Sequence, residues 1–67
     1  MTKRERQLQA DGYEFSGHYF RYGEHEAALH KAREYREQGH RAQVVTVITR
    51  GQIYSREGYS VYVKKAS

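Results

Sequence analysis

The chain has 67 residues and neither cysteine nor proline, which is length for one domain, residues 1–67, and excludes disulfides and thiolate metal sites. Hydrophobic residues make up 37% and mean hydropathy is −1.06, values that lean toward disorder. The aromatic fraction of 13%, mostly seven tyrosines, points back to a folded chain. Formal charge is +4, with twelve basic residues interspersed among eight acidic ones, so the surface is mixed in charge with a moderate bias toward acidic or phosphate-bearing partners. No apolar run approaches the ~20 residues of a membrane span. The charged start Met1-Thr2-Lys3-Arg4-Glu5-Arg6 is unlike a signal peptide. The expected setting is the cytoplasm, with no membrane partner. A chain this short buries only about 60% of its unfolded surface, so it folds on a modest core or shares one with a second copy.

Thr2-Lys3-Arg4-Glu5 has the capping-box pattern, and Gly12 can end the turn, which predicts a short helix over 3–10. From Tyr13 to Tyr22 the residues alternate, with Tyr13, Phe15 and Tyr19 on one parity and Glu14, Ser16, His18, Phe20 and Tyr22 on the other, which predicts a strand. Gly17 reads as a bulge after which the apolar face passes from Tyr19 to Phe20. Glu24 to Gln38 reads as the main helix, with Ala28, Leu29, Ala32 and Tyr35 as the buried stripe and Gly39 just past its end. Arg41 to Thr49 is dense in β-branched residues and apolar on both parities, as in a strand covered on both faces. After the turn signal Thr49-Arg50-Gly51-Gln52, Tyr59 to Lys64 is the secure part of a last strand. The expected fold is α+β: a short N-terminal helix, then β-α-β-β with a three-stranded sheet packed on one long helix. The last strand is expected in the middle, antiparallel to both neighbours.

The stretch Ala27-Ala28-Leu29-His30-Lys31-Ala32-Arg33-Glu34-Tyr35 with Gly39, then Ala42 to Ile48, then Tyr59-Ser60-Val61-Tyr62-Val63, resembles small uncharacterised prokaryotic proteins, archaeal ones among them. Its rhythm is also similar to half of a SPOR domain, a family that binds peptidoglycan glycan strands. The likeness covers about forty residues of generic helix and strand signals. The chain departs from SPOR proteins in lacking a second helix-strand unit and an export or membrane segment, and no functional residue carries over.

Glu26, His30 and Glu34, spaced four apart, form one column on the long helix, but a metal centre needs about four converging ligands and this column reads as a solvated face. His18, His25 and His40 have no zinc spacing, and His25 reads as a packing residue at the helix start. Serines occur at Ser16, Ser55, Ser60 and Ser67 without a nucleophile motif, and no glycine loop cradles a phosphate. No enzyme, catalytic residue, metal or cofactor is expected. The first functional expectation is an interaction module making a protein contact, or a homodimer, through a sheet face bearing Leu8, Phe20, Val45, Val47 and Tyr62, the alternative being that the N-terminal helix covers that face through Leu8. The second is binding of single-stranded nucleic acid, with Tyr62 as a stacking ring, joined by Phe20 or Tyr19, among Arg21, Arg50, Arg56, Lys64 and Lys65. Exposure of Tyr62 separates the two.

Overall fold

The computed structural model describes residues 2–51 and 55–65, with the side chains of 49, 50, 55 and 56 outside the description. Helix α1 (Lys3–Ala10), strand β1 (Glu14–Arg21), helix α2 (His25–Glu37) and strands β2 (Arg41–Arg50) and β3 (Ser55–Lys64) follow in order. The capping box forms as expected: the Glu5 N–H donates to the Thr2 hydroxyl at 3.1 Å and the Thr2 N–H to the Glu5 carboxylate at 3.0 Å. After α2, the His40 N–H donates back to the Tyr35 carbonyl through Gly39, whose φ of 91° continues no helix.

The sheet order is β1-β3-β2, and both pairings are antiparallel. The last strand is therefore central, as expected, though it begins earlier, at Ser55. Alternation along β3 splits its side chains between two cores. Val61 and Val63 face α2 and pack with Ala28, Ala32 and Ala42, flanked by Phe20, Tyr35, Val44 and Tyr59. Tyr62 faces the other way and packs with Leu8 and Val45, flanked by Tyr13 and Val47. The molecule has three layers, with α2 on one face of the sheet and α1 on the other, which is why β2 is apolar on both parities.

Two local expectations are corrected. Leu29 is 46% exposed and is not part of the buried stripe. The fully buried Ala28 and Ala32 bring the helix close to the sheet along their own line, and Leu29, about 100° further round from Ala28, is carried past its edge. The irregularity at Gly17 also leaves parity unchanged. Between the pairs Phe15↔Tyr62 and Tyr19↔Ser60, β1 advances four residues and β3 two, so the insertion is even. Gly17 has φ +89°, a left-handed value that accommodates the excursion. Ser16 then stands in for the missing ladder: its hydroxyl donates to the Val61 carbonyl at 2.7 Å and accepts from the His18 N–H at 3.3 Å.

Candidate functional site

Tyr62 is 3% exposed, lying under α1 where its hydroxyl donates to the Glu5 carboxylate at 2.5 Å. Burial and this hydrogen bond push the Tyr62 hydroxyl up to about 12, while the same bond, aided by Thr2, holds the Glu5 carboxyl below its ordinary value. The expectation of an exposed Tyr62 stacking ring is therefore corrected: the ring is a core residue. The expected interface set is corrected for the same reason. Leu8, Val45, Val47 and Tyr62 do come together, but as an intramolecular core beneath α1, and Phe20 lies on the opposite face against α2. Among the expected basic residues, Arg21 and Lys65 are exposed and Lys64 is half-buried beside Gly12, whereas the side chains of Arg50 and Arg56 lie outside the described residues.

With both sheet faces covered at their centre, two other surfaces remain. The first is the outer edge of β2. Its open backbone groups follow from hydrogen bonding. The Val61 carbonyl is engaged by Ser16 of β1, so it faces β1 and not β2. Val44 stands opposite Val61, and an antiparallel residue whose partner faces away turns its own N–H and C=O outward. Alternation gives the same orientation to Ala42, Thr46 and Ile48. The Ala42 carbonyl agrees, since Arg36 Nη2 reaches round from α2 and donates to it at 2.8 Å. No strand lies beyond β2 among the described residues. The run Ala42–Thr49 carries no charge and no proline, the usual devices that protect an edge. By contrast β1, the other edge, is kinked at Gly17 and bears Glu14, His18 and Arg21. Two exposed apolar side chains belong to the β2 side, Ile48 at 51% and Leu29, which shares a helix face with Arg36 seven residues on.

The second surface lies on β1, on the side of the sheet that bears α1. Phe15 and Tyr19 share that face and are 49% and 48% exposed. Phe15 leans on Tyr62, with centroids 5.8 Å apart. The phenol end of Tyr19 lies over the Gly58 backbone so closely that a β-carbon there would fall 1.7 Å from its hydroxyl oxygen. Strand parity and the helix positions also sort the charges. The α1 side carries Lys3, Arg4, Arg6, Arg21, Arg41 and Lys64, opposed among the described residues by Glu5, which is tied to Tyr62, and Asp11. The α2 side carries Glu14, Glu24, Glu26, Glu34, Glu37 and Glu57 against Lys31, Arg33, Arg36 and Lys65. The basic excess therefore collects on the face with the aromatic row. The sequence offered Phe20 or Tyr19 as the companion of Tyr62 on an open face; the signal that Phe15 and Tyr19 are the exposed pair is the brevity of α1, whose eight residues reach Val45 and Tyr62.

On the Glu26–His30–Glu34 column, Glu34 is engaged by Lys31 at 2.8 Å and by His30 at 3.3 Å, and the lysine contact lowers the Glu34 carboxyl. Among the described residues no three histidine or acidic side chains converge as metal ligands. His25 packs its ring 4.8 Å from Tyr59, and Ser16 spends its hydroxyl on the β1 irregularity. No described helix is long and apolar enough to cross a membrane. No family model matches the chain, and neither a curated protein nor a solved structure matches it.

Proposed function

We propose that this protein is a self-assembling interaction module that pairs through the open edge of β2. The observation that carries the reading is the outward row of backbone groups at Val44, Thr46 and Ile48, within the charge-free and proline-free run Ala42–Thr49 of an edge strand. Such groups are satisfied by an added strand. The side chains favour a second copy as the source. With Thr46 on a two-fold axis, Val44 of one copy falls opposite Ile48 of the other, and on the other face Val45 falls opposite Val47. Arg41 falls opposite Gly51 and Arg50 opposite Ala42, so no like charges face each other. Leu29 and Ile48 then border the joint, which accounts for their apolar exposure. The product is a six-stranded antiparallel sheet with β1 at both outer edges.

Sedimentation of the purified protein across a concentration series tests this. A species of twice 7.9 kDa is expected. Thr46→Lys places two ammonium groups against each other at the axis while leaving the β3 ladder intact, so it is expected to weaken association by about tenfold or more with an unchanged circular dichroism spectrum. A monomer at every concentration, or a dimer indifferent to Thr46→Lys, overturns the reading.

A further inference from the structure

We infer that the basic face bearing Phe15 and Tyr19 is a second binding site, for single-stranded nucleic acid. The site lies on β1, the strand farthest from β2, so it is independent of the pairing edge and stays open when that edge is occupied. Two half-exposed aromatic rings side by side on a water-facing surface are suited to a planar or apolar occupant. Their placement fits bases. Phe15 and Tyr19 stand opposite Tyr62 and Ser60, two residues apart on β3, so they are separated by about 7 Å and each can take its own base. Each ring has a packed neighbour on one side, Phe15 the tilted Tyr62 ring across the strands and Tyr19 the side-chain-free backbone of Gly58, while about half of each residue stays exposed.

Charge selects the rest of the ligand. Arg21 follows Tyr19 on the same parity, Lys64 follows Tyr62, and Lys3, Arg4 and Arg6 are exposed on the flanking helix. The chain's acidic side chains are mostly on the far face, so a phosphate backbone laid along β1 meets cations at both ends of the aromatic row. An acidic peptide would satisfy the cations but not the paired rings. Duplex bases, stacked on one another, are closed to both rings.

The test is fluorescence anisotropy with short mixed-sequence single-stranded DNA and RNA, beside a duplex and polyglutamate, at low and high salt. Binding of the single strands, weakened by salt, is expected, with duplex and polyglutamate bound at least about tenfold more weakly. Phe15→Ala and Tyr19→Ala are each expected to lower affinity by about tenfold. Gly58→Ala keeps both rings and every charge but unseats Tyr19, and is expected to weaken binding similarly. Circular dichroism verifies the fold of each variant, and Phe15→Ala, which removes an exposed ring, carries the test if the Tyr19 variants unfold. No binding at low salt overturns the inference. So does binding unchanged by Phe15→Ala, or binding matched by polyglutamate, which would mark a polyanion surface without base stacking.

Discussion

Leu8→Ala is expected to destabilise the protein by about 3 kcal/mol, with the midpoint of thermal unfolding falling by more than ~10 °C. Leu8 is 3% exposed and is the one large apolar side chain that α1 contributes to the core with Val45 and Tyr62. A helix of eight residues has little stability of its own, so its position depends on that contact together with the Glu5–Tyr62 bond. Total stability for a chain of this size is about 3–10 kcal/mol, so removing the Leu8 side chain consumes much of it. Thermal melts monitored by circular dichroism check this. A loss under about 1 kcal/mol would mean that α1 is not part of the folded core. The α2 core, built on Ala28, Ala32, Val61 and Val63, is untouched by the substitution.

Tyr62→Phe is expected to cost about 2 kcal/mol at neutral pH, because it removes a buried hydrogen bond to a carboxylate while preserving the ring. Its pH dependence identifies the cause. The folded-state value of Tyr62 is raised from 10.0 to about 12, so its contribution is complete below pH 10 and is lost as pH rises toward 12. The folded-state value of Glu5 is lowered from 4.5, so its contribution is complete above that value and is lost as pH falls through the lowered one. Denaturant melts of the wild-type protein are thus expected to show a plateau between these limits. In Tyr62→Phe the alkaline fall due to this group disappears and the acid fall is shallower. A variant whose profile parallels that of the wild type at both ends would show that the Glu5–Tyr62 bond does not govern either limb.

The elements that could be read from sequence are those whose signals are local. The reciprocal Thr2–Glu5 cap spans three residues and formed as written. The alternation Tyr59, Val61, Val63 against Ser60 and Tyr62 fixed which side of β3 meets α2, and β-branching fixed β2. What was missed depends on contacts distant in sequence. Glu5 and Tyr62 are 57 residues apart, and no local pattern announces that a charged residue in the first turn of α1 will bury itself against a tyrosine in the last strand. Together with the packing of Leu8 and Val45, that contact makes the Tyr62 ring core, the alternative in which the N-terminal helix covers the face. It also moves the aromatic surface one strand over, to Phe15 and Tyr19. The open edge of β2 follows from the expected strand order, but the density of apolar, β-branched residues from Val44 to Ile48 reads as core, so the side chains alone give no sign that the backbone has a free side. Leu29 was misplaced because helical spacing gives a stripe, whereas the depth of packing at Ala28 and Ala32 decides how wide that stripe is.

Amide hydrogen exchange on β2, measured at low and high protein concentration, tests the edge-pairing account most directly. Val45 and Val47 turn their backbones to β3 and are expected to be protected at both concentrations. Val44, Thr46 and Ile48 turn theirs to the open edge, and their amides are expected to exchange freely when dilute and to become protected as a second copy pairs with them. Exchange at Val44, Thr46 and Ile48 that is equally fast at both concentrations, while Val45 and Val47 remain protected, would contradict the account.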